Sequence, residues 1–360
     1  MKKVKLMDIC EPKQWKTIPI SELSQSGYPL YGANGKIGFY KEYTHEKPTL
    51  MVTCRGATCG QMHISEPRSY INGNAMAFDN IDEKEMNIKY LFYLFRKRGF
   101  KDCISGSAQP QITRQGLEKV TIEIHEKDEQ DRIVTVLDRA DSLRQKRKEQ
   151  IKLLDDFLKS KFLEMFGDPV RNEKGWDVGR LGDVVEVKSG QVNPLEGKYS
   201  DMLCIGGENI ESDTGKLINL KKAKDIGAKS GKYLFDKYDI LYSKIRPYLN
   251  KVAIMDFVGI CSADIYPLKS DDNQITREYL FVTLLSKEFL SYASKHSART
   301  SIPKINRDAL SEFQIMLPSL DIQKKFSVLF SATESMKNSM NINMRKFDNQ
   351  LNALMQECFG

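Results

Sequence analysis

The sequence predicts an α+β protein of two tandem mixed α/β domains, each followed by a long helix. The two helices are expected to form an antiparallel coiled-coil pair about a pseudo-two-fold axis. Three observations lead to this fold class. The second half of the chain repeats the first. Both copies end in long segments with helical apolar spacing. Short β-rich runs, separated by Gly, Pro, Asn and Ser, precede each of these segments.

The repeat is clearest at a short motif. Residues 110–117 (PQITRQGL) and 303–310 (PKINRDAL) share Pro, Ile, Arg and Leu at an offset of 193 residues. The same offset pairs Gln130 with Gln323 without a gap, and it continues to the Phe-Gly pair that ends each copy. A gapless match with a common endpoint indicates two tandem half-molecules.

The repeat also fixes the expected domain boundaries, which are residues 1–125, 126–166, 167–318 and 319–360. The first and third segments are the globular parts, and the second and fourth are the long helices. Upstream of the motif the match continues with small changes of offset, and residues 50–55 (LMVTCR) align with residues 241–246 (LYSKIR). This alignment places Arg55 and Arg246 at equivalent positions.

The helical segments have apolar residues at intervals of three or four, as in helices that pack lengthwise on a partner. In the first segment these are Ile133, Leu137, Ala140, Leu143, Ile151, Leu154, Leu158, Phe162 and Met165. In the second they are Phe326, Leu329, Thr333, Met336, Met340, Met344, Phe347, Leu351, Leu354 and Cys358. A helix of about 38 residues would be roughly 57 Å long. The alternative is that each helix packs only on its own globular domain.

Composition excludes several classes of protein. The chain has 360 residues, 41% of them hydrophobic, and a net charge of +7. Its apolar runs are too short for a membrane helix, and its first residues lead into no signal peptide. Seven scattered cysteines without a C-x-x-C pair, and four histidines, argue against a disulfide framework or a metal site. We therefore expect a cytoplasmic protein, and the mild basic excess allows a polyanionic partner.

The sequence lacks the common catalytic signatures. It has no phosphate-binding P-loop, no G-x-G-x-x-G after a strand, no G-x-S-x-G and no H-E-x-x-H. Residues 186–188 (EVK) have the acidic-x-Lys spacing of some metal-dependent nucleases, but we interpret them as alternating residues of a strand edge. The chain is therefore expected to bind rather than to catalyse, with no catalytic residue, no metal and no cofactor of its own.

The chain resembles the DNA-specificity subunits of type I restriction–modification systems over nearly its whole length. Residues 106–133 and 301–323, which contain the repeated motif and the start of each helix, have the family's pattern. So do residues 28–35 (YPLYGANG), Trp176 with residues 181–184 (LGDV), and residues 239–247 (DILYSKIRP). The first copy departs from the pattern at residues 125–127 (HEK), where the second copy keeps Leu317-Pro318.

This resemblance implies a non-catalytic subunit with two target-recognition domains, each reading one half of a split sequence in double-stranded DNA. The helix pair would set the spacing between the half-sites. Two methyltransferase subunits, which hold S-adenosylmethionine, and ATP-driven restriction (translocase) subunits are the implied partners, with no membrane involved. Half-sites on one face of B-DNA lie about 34–36 Å apart or a multiple of this, a distance that a long helix could set.

Candidate DNA-binding residues are polar side chains on Gly-containing loops, where Arg, Asn and Gln can make base contacts and Lys, Ser and Thr can meet phosphate. In the first half they are Tyr31, Asn34, Lys36, Arg55, Thr58, Gln61, Ser105, Ser107, Gln109 and Gln111. In the second half they are Lys188, Ser189, Gln191, Ser243, Lys244, Arg246, Tyr248, Arg299, Thr300 and Lys304. Each could instead be a turn residue. The charged residues 144–150 are expected to form a solvated face or to meet a methyltransferase subunit.

Two other functions stay open at this point. One is a non-catalytic structural adaptor built on the helices, which the modest charge allows. The other is a self-contained DNA-modifying enzyme, against which the missing cofactor motifs argue.

Overall fold

The computed structural model describes residues 1–33, 35–106, 109–297 and 302–360. These residues form two compact units. Unit 1 consists of Met1–Gln150 and Met340–Gly360, and unit 2 consists of Ile151–Ser339. The candidate residues Asn34, Ser107, Arg299 and Thr300 lie outside the described residues.

In the described part of its first half, the chain forms short strands, two shorter α-helices and one long α-helix. The strands are β1 (Lys2–Lys5), β2 (Glu11–Gln14), β3 (Tyr28–Gly32), β4 (Gly35–Tyr40), β5 (Leu50–Thr53), β6 (Met62–Ile64), β7 (Tyr70–Ile71), β8 (Ala75–Asp79), β9 (Ile104–Ser105), β10 (Gln111–Ile112) and β11 (Thr121–Ile124). The helices are α1 (Ile88–Arg98), α2 (Arg114–Leu117) and α3 (Lys127–Phe166).

The second half has the same kinds of elements in a similar order. The strands are β12 (Asp177–Arg180), β13 (Val185–Val187), β14 (Gln191–Val192), β15 (Leu203–Ile205), β16 (Lys221–Lys222), β17 (Lys232–Phe235), β18 (Ile240–Ser243), β19 (Val252–Ile254), β20 (Gly259–Ser262), β21 (Ile265–Ser270) and β22 (Gln314–Leu317). The helices are α4 (Leu181–Val184), α5 (Gly197–Ser200), α6 (Arg277–Leu284), α7 (Lys287–Lys295), α8 (Arg307–Ser311) and α9 (Leu320–Phe359). The mixed α+β class and the two long helices, α3 and α9, are confirmed.

The main sheet has the same strand order in both units. It is β2-β8-β5-β6 in unit 1 and β13-β21-β18-β19 in unit 2. Met51 on β5 lies opposite Ala77 and His63, and Leu241 on β18 lies opposite Pro267 and Ala253. The repeat is therefore visible in the strand register, with an offset of 190 residues in this sheet rather than the 193 of the helices.

The second sheet differs between the units. In unit 1 it has three strands in the order β4-β3-β7, and in unit 2 it has five in the order β14-β17-β20-β15-β16. The parallel pair β3-β7 corresponds to the parallel pair β15-β20, so β14 and β17 are an addition in unit 2. The two half-molecules therefore share the strand order of the main sheet, whereas the second sheet differs in its number of strands. No helix in the described ranges is both long and apolar enough to cross a lipid bilayer.

Each unit buries apolar residues of both long helices in its own core. In unit 1, Leu137 of α3 and Leu351 of α9 belong to one core cluster with Tyr90 of α1. In unit 2, Phe162 of α3 stacks on Tyr279 of α6 and meets Phe326 of α9 edge to face, with ring centroids 5.5 Å apart in both contacts. The alternative in which each helix packs only on its own domain is therefore wrong, because α9 packs in both cores.

The helices run antiparallel within each unit, and an ion pair links them in each. In unit 2, Lys337 Nζ lies 2.6 Å from Asp155, while further along α3 Phe162 meets Phe326, which precedes Lys337 in α9. In unit 1, Arg144 Nε donates to Asp348 at 2.5 Å. The offset of 193 relates Arg144 to Lys337 and Asp155 to Asp348. The two ion pairs are therefore copies of one arrangement.

The predicted apolar seam is wrong at one repeated position. Leu143 and Met336 were expected to face the partner helix, but they are 49% and 47% exposed. The next residues, Arg144 and Lys337, point inward instead, with side chains only 20% and 16% exposed. An α-helix has 3.6 residues per turn, so a seam of three- and four-residue steps shifts by one position after a few turns. Arg144 is consequently not part of a solvated face.

Two repeated glutamines attach the start of each long helix to its globular part. In unit 1, Gln130 Oε1 accepts from the Asn87 amide at 2.9 Å, and its Nε2 donates to the carbonyls of Glu85 and His125. In unit 2, Gln323 is fully buried and repeats the contacts with other partners. These glutamines therefore satisfy backbone groups that would otherwise be unpaired at the entrance to each helix.

Candidate nucleic-acid interface

In each unit the loop after the central strand is joined by backbone hydrogen bonds to the segment that opens the repeated motif. In unit 1, the Gly56 amide donates to Pro110 at 3.2 Å, and the Ile112 amide donates to Cys54 at 3.0 Å. In unit 2, the amide of Arg246 donates to Pro303 at 2.7 Å and that of Ile305 to Lys244 at 3.0 Å. We call residues 54–61 with 105–106 and 109–111 the first face, and residues 244–251 with 302–307 the second face.

The repeated motif attaches each face to the interior of its unit. Its isoleucines, Ile112 and Ile305, are buried. The residue after each isoleucine caps a short helix: Thr113 Oγ1 accepts from the Gly116 amide at 3.2 Å, and Asn306 Oδ1 accepts from the Ala309 amide at 2.8 Å. Thr and Asn are favoured at helix N-caps because their side chains satisfy an otherwise unpaired amide. The motif is thus a structural element that holds the polar residues beside it in place.

The first face brings together most of the candidates of the first half. Arg55, Gln61, Gln109 and Gln111 are exposed on it. Arg55 and Gln111 form a β-bridge, and Gln111 also pairs with Ser105 across β9 and β10. The result is a group of long polar side chains on two paired segments.

The remaining described candidates of unit 1 have internal partners. The Thr58 hydroxyl donates to the Ala33 carbonyl at 2.8 Å, which ties the turn after β3 to the first face. Tyr31 is buried; its hydroxyl accepts from the Glu66 amide at 3.1 Å, and burial raises the pKa of this tyrosine. Lys36 forms an ion pair with Glu66 at 3.0 Å.

The second face contains Lys244, Arg246, Tyr248 and Lys304. Arg246, Tyr248 and Lys304 are exposed, and Lys304 forms a β-bridge with Ile245. Lys244 is half-buried, and its ammonium lies 5.0 Å from the ring centre of Tyr266. The second face therefore gathers three basic side chains in a short stretch of surface.

Other candidates of unit 2 lie apart from this cluster or below the surface. Ser189 and Gln191 are exposed, and Gln191 lies on β14 opposite Tyr233. Ser243 is buried, and its hydroxyl donates to the Ile245 carbonyl at 3.3 Å.

Lys188 is held inside the fold by two carboxylates. Its ammonium lies 2.8 Å from Asp236 and 2.5 Å from the buried Asp239. Burial alone would lower the pKa of Lys188, but its hydrogen bonds to the two aspartates outweigh that effect, and the pKa is raised. The lysine therefore neutralises a buried carboxylate beside β13, in agreement with the interpretation of residues 186–188 as an ordinary strand edge.

The predicted equivalence of Arg55 and Arg246 is wrong by one residue. The β-bridges pair Arg55 with Gln111 and Ile245 with Lys304, and Gln111 and Lys304 are equivalent in the motif. Arg55 therefore corresponds to Ile245, and Arg246 corresponds to Gly56, whose amide makes the matching hydrogen bond. The sequence alignment had placed residue 50 against residue 241, whereas the strands place it against residue 240.

Sequence reasoning missed two basic residues of the second face. Lys251 follows the turn, and its ammonium donates to the Gly207 carbonyl at 2.5 Å. Arg307 donates to the carbonyls of Val187 and Lys188 at 2.9 and 2.8 Å, and its guanidinium lies 5.4 Å from the ring centre of Tyr266. Arg307 had a signal in the sequence, since it is the arginine of the repeated motif.

Comparison with known proteins places this arrangement in a family. The family model described as "Type I restriction modification DNA specificity domain" matches residues 1–153 and 173–342. The chain is 33% identical over 188 residues to the type I restriction enzyme EcoDI specificity subunit of Escherichia coli, a match that covers 51% of this chain and 41% of that protein. The chain thus spans less than half the length of this relative.

A second relative and a solved structure extend the likeness over more of the chain. The MjaIX specificity subunit of Methanocaldococcus jannaschii is 25% identical over 310 residues, covering 79% of this chain and 70% of that protein. The crystal structure of the type I restriction–modification S subunit from M. genitalium matches with a TM-score of 0.66 at 14% identity, and it covers 100% of this chain and 96% of that one. At that identity the structural match bears on the fold alone.

Proposed function

This chain belongs to the family of type I restriction modification DNA specificity domains, and from that premise we propose that it is a non-catalytic, sequence-specific DNA-binding subunit. Its first and second faces each read one half of a bipartite target in double-stranded DNA. Two methyltransferase subunits and, in a complete system, restriction subunits bind to it and supply the chemistry. The observation that carries the proposal is the presence of one structurally equivalent polar face in each repeat.

The chemistry of the faces favours base recognition. Gln61, Gln109 and Gln111 are exposed amides, and Arg55 is an exposed guanidinium. Glutamine can make two hydrogen bonds to adenine, and arginine can make two to guanine, in the major groove. Backbone hydrogen bonds to the motif fix the main chain that carries these side chains, as specific recognition requires.

The proposal includes the organisation of the chain and the place where it acts. Residues 1–125 and 167–318 are the target-recognition domains, and residues 126–166 and 319–360 are the helices that space them. The subunit works in the cytoplasm, where its DNA target is accessible. It needs no cofactor of its own, since S-adenosylmethionine binds to the methyltransferase subunits.

Methylome sequencing tests this function directly. We expect a host that expresses the chain with its cognate methyltransferase subunit to gain one methylated motif, with two short specific blocks separated by a fixed gap. The control is a host that expresses the methyltransferase subunit alone.

Three outcomes separate the possible functions. A split motif agrees with the proposal and identifies the target. An assembled complex that methylates no new motif contradicts the proposal and favours a structural adaptor. A contiguous motif would keep DNA recognition but contradict the reading of separate half-sites by the two faces.

A further inference from the structure

We propose that the two faces contribute unequally to DNA binding, so that the second face anchors the phosphate backbone and the first face acts mainly through uncharged contacts. This inference rests on the proposed function and deepens it. It comes from comparing equivalent positions of the repeat, which the backbone hydrogen bonds identify one by one.

Equivalent backbone contacts define the comparison. The Thr53 amide donates to the Gln61 carbonyl at 2.8 Å, and the Ser243 amide donates to the Lys251 carbonyl at 3.0 Å. In the same way, the Cys54 amide donates to Asn74 and the Lys244 amide donates to Asp264. Together with the contacts to the motif, these give the pairs Cys54/Lys244, Arg55/Ile245, Gly56/Arg246, Thr58/Tyr248, Gln61/Lys251, Asn74/Asp264, Gln111/Lys304 and Arg114/Arg307.

The charge at these positions differs between the faces. In unit 1 the basic residues are Arg55 and Arg114, and Arg114 lies 3.6 Å from the carboxylate of Glu11. In unit 2 the basic residues are Lys244, Arg246, Lys251, Lys304 and Arg307, and the one acid is Asp264. Neither Arg246 nor Lys304 forms an ion pair with any residue in the described part of the chain. A cluster in which basic side chains outnumber acidic ones is the electrostatic footprint of a polyanion-binding surface.

Arg246 gives the strongest indication, because its backbone is strained. It has a φ of 47°, in the left-handed region, and its equivalent Gly56 has a φ of 83°. Glycine adopts such angles at little cost, whereas a residue with a Cβ does not. Unit 2 therefore has an exposed arginine at a position where the fold favours glycine. Strain of this kind is typical of functional sites.

Aromatic rings hold two further cations of the second face. Lys244 and Arg307 both lie over the ring of Tyr266, at 5.0 and 5.4 Å from its centre. Arg307 also lies 5.9 Å from the ring centre of Tyr233. Cation–π contacts restrict these side chains without neutralising them. Lys244 and Arg307 are thus ordered before DNA arrives, while Arg246 and Lys304 remain available for phosphate.

The salt dependence of binding to non-target DNA tests the inference, because each neutralised phosphate contributes about 0.9 to the slope of log K against log salt. The probe is a fluorescein-labelled duplex of random sequence, titrated with the full-length chain together with the subunits that co-purify with it. We expect the triple variant Lys244→Gln, Arg246→Gln, Lys304→Gln to make this negative slope shallower, reducing its magnitude by roughly 2 to 3. We expect Arg55→Gln in the first face to lower it by at most about 1.

Two variants separate an electrostatic role from a structural one. Arg246→Gly should lower the slope by about 1 while the melting temperature stays the same or rises, because glycine relieves the strained backbone. The exchange Gln111→Lys, at the position equivalent to Lys304, should raise the slope. If either substitution changed only the stability of the fold, the salt dependence of DNA binding by that variant would stay as in the wild type.

The outcomes distinguish this inference from the proposed function. An unchanged slope in the triple variant, or equal losses from the two faces, would overturn the inference while the proposed function stands. An assembled complex whose DNA affinity does not depend on salt would contradict both. A fall in slope confined to the second-face variants would support the unequal faces.

Discussion

Replacing Gln323 by methionine is expected to destabilise unit 2 by about 3 to 5 kcal/mol. Gln323 Oε1 accepts from the Thr276 amide at 2.8 Å, and Nε2 donates to the carbonyls of Gln274 and Pro318 at 3.0 and 2.7 Å. Methionine has nearly the same shape but makes none of these hydrogen bonds. Each backbone group left unpaired in the interior costs about 1–3 kcal/mol.

Urea unfolding of the full chain, with hydrogen exchange at the Thr276 amide, measures this effect. Hydrogen exchange is needed because two compact units need not unfold in one transition. The matched control is Gln350→Met, which makes the same chemical change on an exposed position of α9. Equal protection of Thr276 in the variant and the wild type would show that the glutamine does not hold the helix start.

The equivalent change in unit 1 provides an independent check. Gln130→Met removes the acceptor of the Asn87 amide, so the loss of protection should appear at Asn87. We expect a similar magnitude because the three hydrogen bonds are repeated, although the partners differ in sequence. Since the two glutamines lie in separate units, each variant should affect mainly its own unit.

The sequence predicted the long helices well because their signal is redundant. The gapless offset of 193 residues relates whole helices, and many apolar positions agree on one period. The predicted apolar seam was wrong at Leu143 and Met336, because a pattern of three- and four-residue steps does not determine where the seam shifts by one residue. The inward residue at each place is basic, and it pairs with a carboxylate of its own helix and with one of the facing helix, a partner that the sequence does not reveal.

The candidate interface was predictable in part. The repeat and the polar loops led to Arg55, Gln111, Arg246 and Lys304, which the fold brings to two equivalent faces. Sequence alignment placed Arg55 against Arg246 because the two residues are identical. Strand pairing shifts the match by one residue, so that Arg55 corresponds to Ile245. Lys188 was a plausible contact in the sequence, yet the fold uses it to neutralise the buried Asp239.

The ion pairs between the long helices lead to the second large expected effect. Lys337→Glu should lower the stability of unit 2 by about 2 to 3 kcal/mol, because it puts a third carboxylate beside Asp155 and Glu334 in a mostly buried position. The magnitude is below that of a fully buried pair because Asp155 is partly exposed to solvent. Urea unfolding of the full chain measures the loss.

Charge exchange tests whether the interaction is specific. Asp155→Lys should restore about 1 to 2 kcal/mol to the Lys337→Glu variant, as a double-mutant cycle measures for residues in contact. Asp348→Lys is the control, since Asp348 contacts Arg144 in the other unit and should give no rescue of Lys337→Glu. Additive effects of Asp155→Lys and Lys337→Glu would contradict the proposed coupling.

The same exchange in unit 1 should follow the repeat. Arg144→Glu should be rescued by Asp348→Arg and not by Asp155→Lys. A basic residue from one copy meets an acidic residue from the other in both units, so a slip of α3 along α9 within a unit would separate the pair of that unit. A polar residue at the interface of paired helices is a well-attested device for fixing their register. We therefore expect the ion pair in each unit to help to fix the register of α3 against α9 within that unit.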